Sequence, residues 1–246
     1  MKYNKDKISI ITICFNSAKT IRQTIESVLN QTYSNIEYII VDGMSSDNTL
    51  EIIKEYEQLF NDKEISYRYI SEPDNGIYDA MNKGIRMATG EWIGIINSDD
   101  WYERNALNEA FEEFLTDGVD LVYGYVRFYR NDIATYQEVI YETELPYRTM
   151  NHQGIVYRKN LHERYGYYNP NYKVCSDYQF LTSCYLNGAT FKFIDKLISH
   201  FRHGGAHTQL GFNGGVEEAQ IKLQCGFIKK SKYYKMLIRA FLRKFM

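Results

Sequence analysis

The first apolar run, Ile8–Phe15, is continuous and rich in β-branched residues, the pattern of a strand buried on both faces. Polar Asn16 and Ser17 end it, and the next segment sets Ile21, Ile25, Val28 and Leu29 on one face at helical spacing. The alternation then repeats. Glu37–Val41 predicts a second strand ending at Asp42-Gly43, and Asp47 is placed to cap a helix carrying Leu50, Ile53 and Tyr56. Ile65–Ile70 predicts a third strand before the loop Glu72–Gly76, and a helix over about 77–88 is closed by Gly90. Trp92–Ile96 is a fourth strand that runs into Asn97-Ser98-Asp99-Asp100, followed by a helix over 105–115 and a strand over 120–128. Strands alternating with helices of this length predict an α/β fold with a mostly parallel central sheet covered on both faces.

Past residue 130 the pattern loosens into a loop and strand over 131–150, a strand over His152–Arg158, a helix over Tyr178–Leu186 and a short strand over Phe191–Ile194. From Tyr234 onward apolar residues fall at 234, 237, 238, 241, 242 and 245, while Lys232, Lys235, Arg239 and Arg243 form another stripe. Charge separates the two regions. The 246 residues carry a net −2, yet no Asp or Glu follows Glu218 and eight Lys or Arg do, so residues 1–218 hold 21 basic against 31 acidic side chains. The split predicts a body over 1–218 and a basic amphipathic extension over 219–246. That extension either meets an anionic membrane surface or packs on protein.

Composition excludes several classes. Hydrophobic residues at 44% and charged residues at 24% are ordinary for a globular chain, and no apolar run approaches the ~20 residues of a membrane span. The N-terminal apolar stretch reads as a strand rather than a secretion signal. Four cysteines stand far apart with no CxxC pair, which suits a reducing, cytoplasmic setting. The acidic body and the lack of a recognition motif argue against nucleic acid.

Acidic and polar residues gather at the carboxyl ends of the predicted strands, where open α/β sheets bind ligands. They are Asn16, Asp42, Glu72, Asp74, Asp99 and Asp100. Each alone reads equally as a turn residue. Adjacent Asp99 and Asp100 repel each other unless a cation or solvent lies between them, and their oxygens suit Mg²⁺ or Mn²⁺; a helix cap is the plainer alternative. Asp177 reads by itself as a helix N-cap, His152 as a structural histidine, and His200, Arg202, His203 and His207 as a glycine-flanked turn or a loop over phosphate.

The run ISIITICFNSAKTIRQTIESVLNQTYSNIEYIIVDGMSSDNT resembles the opening of family 2 glycosyltransferases, which adopt the GT-A fold. SEPDNGIYDAMNKGI and ATGEWIGIINSDD follow in the same order, covering about 100 residues. The resemblance is closest to bacterial enzymes of surface-polysaccharide assembly, including the colanic-acid type. Later pieces are MNHQGIVYR, VCSDYQF and HFRHGGAH. The family implies a nucleoside-diphosphate sugar donor, UDP favoured, a Mn²⁺ or Mg²⁺ ion, and inverting transfer to a hydroxyl of a glycan that is lipid-linked. It implies a nucleotide-sugar half over 1–130 and an acceptor half over 131–218. Thr12 to Asn16 would line the nucleotide pocket, Asp42 would read the base and Asp74 would close the site. Asp99 would meet ribose or metal, Asp100 the metal, and His203 would be a third ligand. Asp177 would be the catalytic base, and His152 and Gln153 would serve the acceptor. The chain departs from the family pattern at Asn97, Gly43 and Ser176, where relatives carry acids. A lipid-linked acceptor, common for such enzymes, would suit a cytoplasmic protein whose C-terminal helix docks on the inner membrane face, the alternative being a helix packed on protein.

Rival readings are a sugar nucleotidyltransferase, a dehydrogenase and a non-catalytic scaffold. CFNSAKT after the first strand lacks the glycine- and arginine-rich loop of the first and the GxGxxG of the second. The departures NSDD and SD keep the scaffold open.

Overall fold

Four parallel strands build the first half of the sheet: β1 (Ile8–Cys14) lies between β2 (Ile36–Asp42) and β4 (Trp92–Ile95), and β3 (Ser66–Ser71) forms the outer edge. The structure, a computed structural model, describes residues 7–114, 118–204 and 211–243. Beyond β4 the order continues through β8 (Ile155–Arg158), β6 (Leu121–Arg130), β9 (Phe191–Arg202) and β5 (Trp101–Tyr102), with β7 (Ile133–Glu138) paired to β6. β6 and β9 are parallel, whereas β8, β5 and β7 run antiparallel to their neighbours.

The period of two along β1 divides the core. Ile8 and Ile10 face α1 (Ile21–Leu29), α2 (Thr49–Glu55), α3 (Glu57–Asp62) and α5 (Ala106–Phe114). Ile11 and Ile13 face α4 (Ile77–Met87), α6 (Leu161–Tyr165) and α7 (Ser176–Leu186). Gly84 is what lets α4 press onto β1: a Cβ there would lie 2.4 Å from Ile11 Cγ2.

Several elements differ from the sequence expectation, each for a local reason. The helix after Asp47 breaks at Tyr56 into α2 and α3, and Asn48, not Asp47, is its cap residue. Asp47 instead accepts hydrogen bonds from the Thr49 N–H (3.0 Å) and hydroxyl. α4 stops at Ala88, whose backbone is extended, and the Gly90 N–H donates to Ser9 Oγ at 2.8 Å. His152–Gly154 form a 3-10 turn, so only the end of that predicted strand becomes β8. β9 is 12 residues long because a bulge carries it past exposed Asp195 and Lys196: Tyr123 pairs with Phe193, then Tyr125 with Leu197.

α8 (Gly211–Gln224) runs unbroken through residues 218 and 219, and α9 (Lys230–Arg243) packs on it with Ala240 over Gly215. The helix keeps a second face outward: Tyr234, Ile238, Phe241 and Leu242 are 55–60% exposed. No helix among the described residues is long and apolar enough to cross a membrane.

At the amino end of the strands sits Glu37, buried. Ser9 Oγ (2.5 Å), Gly90 N–H (2.9 Å), Thr89 Oγ1 (3.0 Å) and Arg68 (2.8 Å) donate to its carboxylate, with Lys7 at 3.5 Å. Burial opposes the charge, but these donors outweigh it and hold the group at about 2.

Candidate active site

The carboxyl ends of β1 to β4 converge on one edge. Asn16 follows β1 with a left-handed backbone (φ 50°), and its Oδ1 accepts from the Ser46 N–H at 2.8 Å, tying this loop to the one after β2. Phe15 beside it is 63% exposed, an aromatic face at the lip of the edge. Thr12 is not at this edge. It points inward on the same face as Ile8 and Ile10, is fully buried, and accepts the Tyr38 hydroxyl hydrogen bond at 2.9 Å.

Asp42 ends β2 and is also fully buried. Its carboxylate accepts from Ser45 N–H (3.1 Å), Ser45 Oγ (2.5 Å), Ser71 Oγ (2.6 Å) and Cys14 Sγ (3.6 Å). As it stands it offers no surface to a base, and its part in the site runs through the loops it ties down. Asp74, from the loop after β3, accepts from the Gly76 N–H at 2.8 Å, and its other oxygen fills the space beside Gly43. A Cβ on Gly43 would lie 2.5 Å from Asp74 Oδ2. Asp74 thus brings a carboxylate from another loop up against Gly43.

After β4, Asp100 is buried, whereas Asp99 is part-exposed. Asp100 Oδ1 accepts from the Arg202 backbone N–H at 2.9 Å, and Oδ2 from Gln153 Nε2 at 2.9 Å and Asn97 Nδ2 at 3.2 Å. Burial, then the neighbouring Asp99, pushes the Asp100 carboxyl up to about 7. Burial also raises Asp99, with Arg202 and His152 working against it. Asn97 Oδ1 is buried and has no partner among the described residues. An orphaned amide oxygen on a residue hydrogen-bonded to Asp100, with Asp99 adjacent in sequence, is an all-oxygen donor set of the kind hard divalent cations take, so the residues present fit Mg²⁺ or Mn²⁺.

Asp177 lies in the first turn of α7, but the cap residue is Cys175. Its Oδ1 accepts from the Tyr78 hydroxyl (2.8 Å) and the Tyr178 N–H (2.9 Å), and its Oδ2 meets His152 Nδ1 at 3.2 Å. Burial alone would raise this carboxyl, yet His152, Tyr78 and the Tyr178 N–H hold it below the ordinary range. It is therefore ionised, the state a base requires. Two residues that sequence reasoning missed hold it in place. Tyr78 reaches it from α4, and Glu217 of α8 gathers the N–H groups of Lys173 (2.7 Å), Val174 (2.9 Å) and Cys175 (3.1 Å) just before α7.

The first part of the histidine-rich stretch is strand, and residues 205–210 lie outside those described. His200 and Arg202 lie in β9; the His200 ring stacks on Trp101, and its Nε2 lies 3.2 Å from Glu103. The Arg202 guanidinium donates to the Asp99 carbonyl (3.2 Å) and Gln23 (2.7 Å) and pairs with Asp132 (3.3 Å). The His203 ring packs against Phe128, Phe201 and Tyr136, and His207 lies outside the described residues. Among the described residues, no three His, Cys, Asp or Glu side chains converge as a ready-made metal cage. A cavity of about 580 Å³ lies elsewhere, between the start of β9 and α5, and none of these acids lines it.

Comparison with known proteins bears on the family and the fold. Residues 9–186 match the family model "Glycosyl transferase family 2". The chain is 33% identical over 184 residues to the PGL/p-HBAD biosynthesis glycosyltransferase of Mycobacterium tuberculosis, covering 74% of this chain and 70% of that one. It is 36% identical over 110 residues to chondroitin synthase of Pasteurella multocida, 45% of this chain and 11% of that one. Among solved structures, S. aureus TarS 1–349 in complex with UDP-GlcNAc superposes with a TM-score of 0.71 at 19% identity, over 97% of this chain and 72% of that one. Mannosyltransferase PcManGT from Pyrobaculum calidifontis, in complex with GDP-Man and Mn²⁺, gives 0.71 at 18% identity, over 95% and 68%. Against the longer TarS chain the match spans 43% of that protein. These structural likenesses establish the GT-A fold.

Proposed function

Since the chain belongs to glycosyl transferase family 2, we propose that it moves a sugar from a nucleoside diphosphate, UDP favoured, onto a hydroxyl of a glycan, inverting the anomeric centre. The observation that carries this is that an ionised, buried Asp177 and the Asp100 carboxylate are hydrogen-bonded by the adjacent residues His152 and Gln153. A sugar hydroxyl is a poor nucleophile, and Asp177 takes its proton as the new bond to the anomeric carbon forms. Attack opposite the departing diphosphate inverts that carbon in one displacement.

Asp99 and Asp100 would hold the divalent ion, with Asn97 Oδ1, partnerless among the described residues, on the amide that donates to Asp100. When bound, the ion supplies charge stabilisation for the leaving diphosphate. Phe15 offers a stacking face for the base, and Asp74 and Asn16 shape the pocket around it. The relatives named for glycolipid and polysaccharide synthesis support a lipid-linked acceptor. The outward apolar row of α9, flanked by Lys230, Lys232, Lys235 and Arg239, supports docking on an anionic membrane surface, which would bring the site to such an acceptor.

The test is a donor panel of UDP- and GDP-sugars with Mn²⁺, followed by NMR of the product anomer. Inversion with UDP release is expected; retention at the anomeric carbon would overturn the single-displacement reading.

A further inference from the structure

His152 and Gln153 are neighbours in a 3-10 turn, closed by the Gly154 N–H on the Asn151 carbonyl at 3.0 Å. Their side chains go to two different acids. His152 Nδ1 meets Asp177 Oδ2 at 3.2 Å, and Gln153 Nε2 donates to Asp100 Oδ2 at 2.9 Å. Consecutive Cα atoms lie about 3.8 Å apart across a trans peptide, so one rigid peptide unit sets how far Asp177 stands from Asp100. Gln153 is 3% exposed, which leaves almost no surface for a bound glycan.

We propose that His152 and Gln153 form a clasp that positions Asp177 relative to the Asp99–Asp100 pair, and that they are positioning residues rather than acceptor contacts. The proposal rests on the reading of Asp177 as the base. An ionised Asp177 makes His152 Nδ1 the protonated nitrogen, so the ring donates to Oδ2 while Tyr78 and the Tyr178 N–H donate to Oδ1. The carboxylate is gripped from both oxygens and cannot rotate. Gln153 does the same for Asp100, opposite the Arg202 N–H. The titratable groups facing Asp177 are His152 on the turn, Tyr78 on α4, Cys175 at the cap of α7 and Tyr168 ahead of it, with Asp99 and Asp100 beyond His152.

The experiment compares Asp177→Asn, His152→Ala, His152→Asn and Gln153→Ala in steady-state transfer assays, with melting and nucleotide titration to confirm folding. Asp177→Asn is expected to abolish transfer while nucleotide still binds; if it stays active, Asp177 is not the base and the clasp falls with it. His152→Ala should lower kcat about 50-fold with acceptor KM within about twofold. It should also move the acid limb of kcat to higher pH, because Asp177 loses a donor that keeps it ionised. His152→Asn, which keeps an N–H near the Nδ1 position, should recover activity to within about fivefold of wild type. Gln153→Ala should raise the Mn²⁺ concentration for half-activation about tenfold and leave acceptor KM unchanged. With Asp177→Asn inactive, a raised acceptor KM in both alanine variants, with no change in acid limb or metal requirement, would overturn the clasp alone.

Discussion

Asp74 Oδ2 occupies the place where a side chain on Gly43 would begin, 2.5 Å from the Cβ position. Two loops from different strands therefore share one carboxylate at the nucleotide edge. Gly43→Ala should push Asp74 outward. We expect nucleotide affinity to fall about tenfold with a melting change within about 3 °C, since Asp74 is only part-buried and free to shift. Calorimetric titration beside a melting curve checks this; unchanged affinity would show that Asp74 has no part in the nucleotide site.

Glu217 is expected to matter for catalysis from outside the site. Three backbone N–H groups ahead of α7 end on its carboxylate. Glu217→Ala removes their acceptor and should cost about 1–3 kcal/mol in stability, with kcat lowered about tenfold through displacement of Asp177. Urea unfolding and transfer assays read the two effects separately.

Glu37 gives the fold a pH dependence of definite sign. Its folded value, about 2, lies below the ordinary 4.5, so the unfolded chain binds the proton more tightly. Its stabilising contribution is present above about pH 4.5 and is lost as pH falls through about 2. Glu37→Gln should remove about 3 kcal/mol at neutral pH and flatten this part of the curve. Urea midpoints measured from pH 7 to 3 test it; parallel curves for the two proteins would contradict it.

The outward row on α9 predicts binding to vesicles of phosphatidylglycerol in phosphatidylcholine, weakened by salt. Ile238→Asp with Phe241→Asp should abolish it without loss of folding, because both side chains are more than half exposed. Flotation with and without salt is the measurement. Equal recovery of the variant would rule out this face.

Much of the site was legible because its acids follow long buried strands. Ile8–Cys14 and Ile36–Asp42 are β-branched, mostly apolar runs buried along their whole length, and Asp99-Asp100 stands shortly beyond Trp92–Ile95. The inward position of Thr12 was readable too, since it shares the strand's period of two with Ile8 and Ile10. What could not be read was pairing across distance. Nothing local to Gly43 announces Asp74, and nothing near Asp177 announces Tyr78. α8 was hidden by its three glycines, poor helix formers whose cost is met by packing, and Glu217 was hidden with it. β9 was cut short in the sequence reading by Asp195 and Lys196, which the bulge carries out to solvent.

The most direct test of the central claim is calorimetric titration of UDP and GDP, each with and without Mn²⁺, on wild type and on Asp100→Ala. The account predicts Mn²⁺-dependent binding of UDP, at least about tenfold weaker without the metal and lost in a folded Asp100→Ala protein. Binding of neither nucleotide to the wild type, or binding indifferent to both metal and mutation, would contradict it.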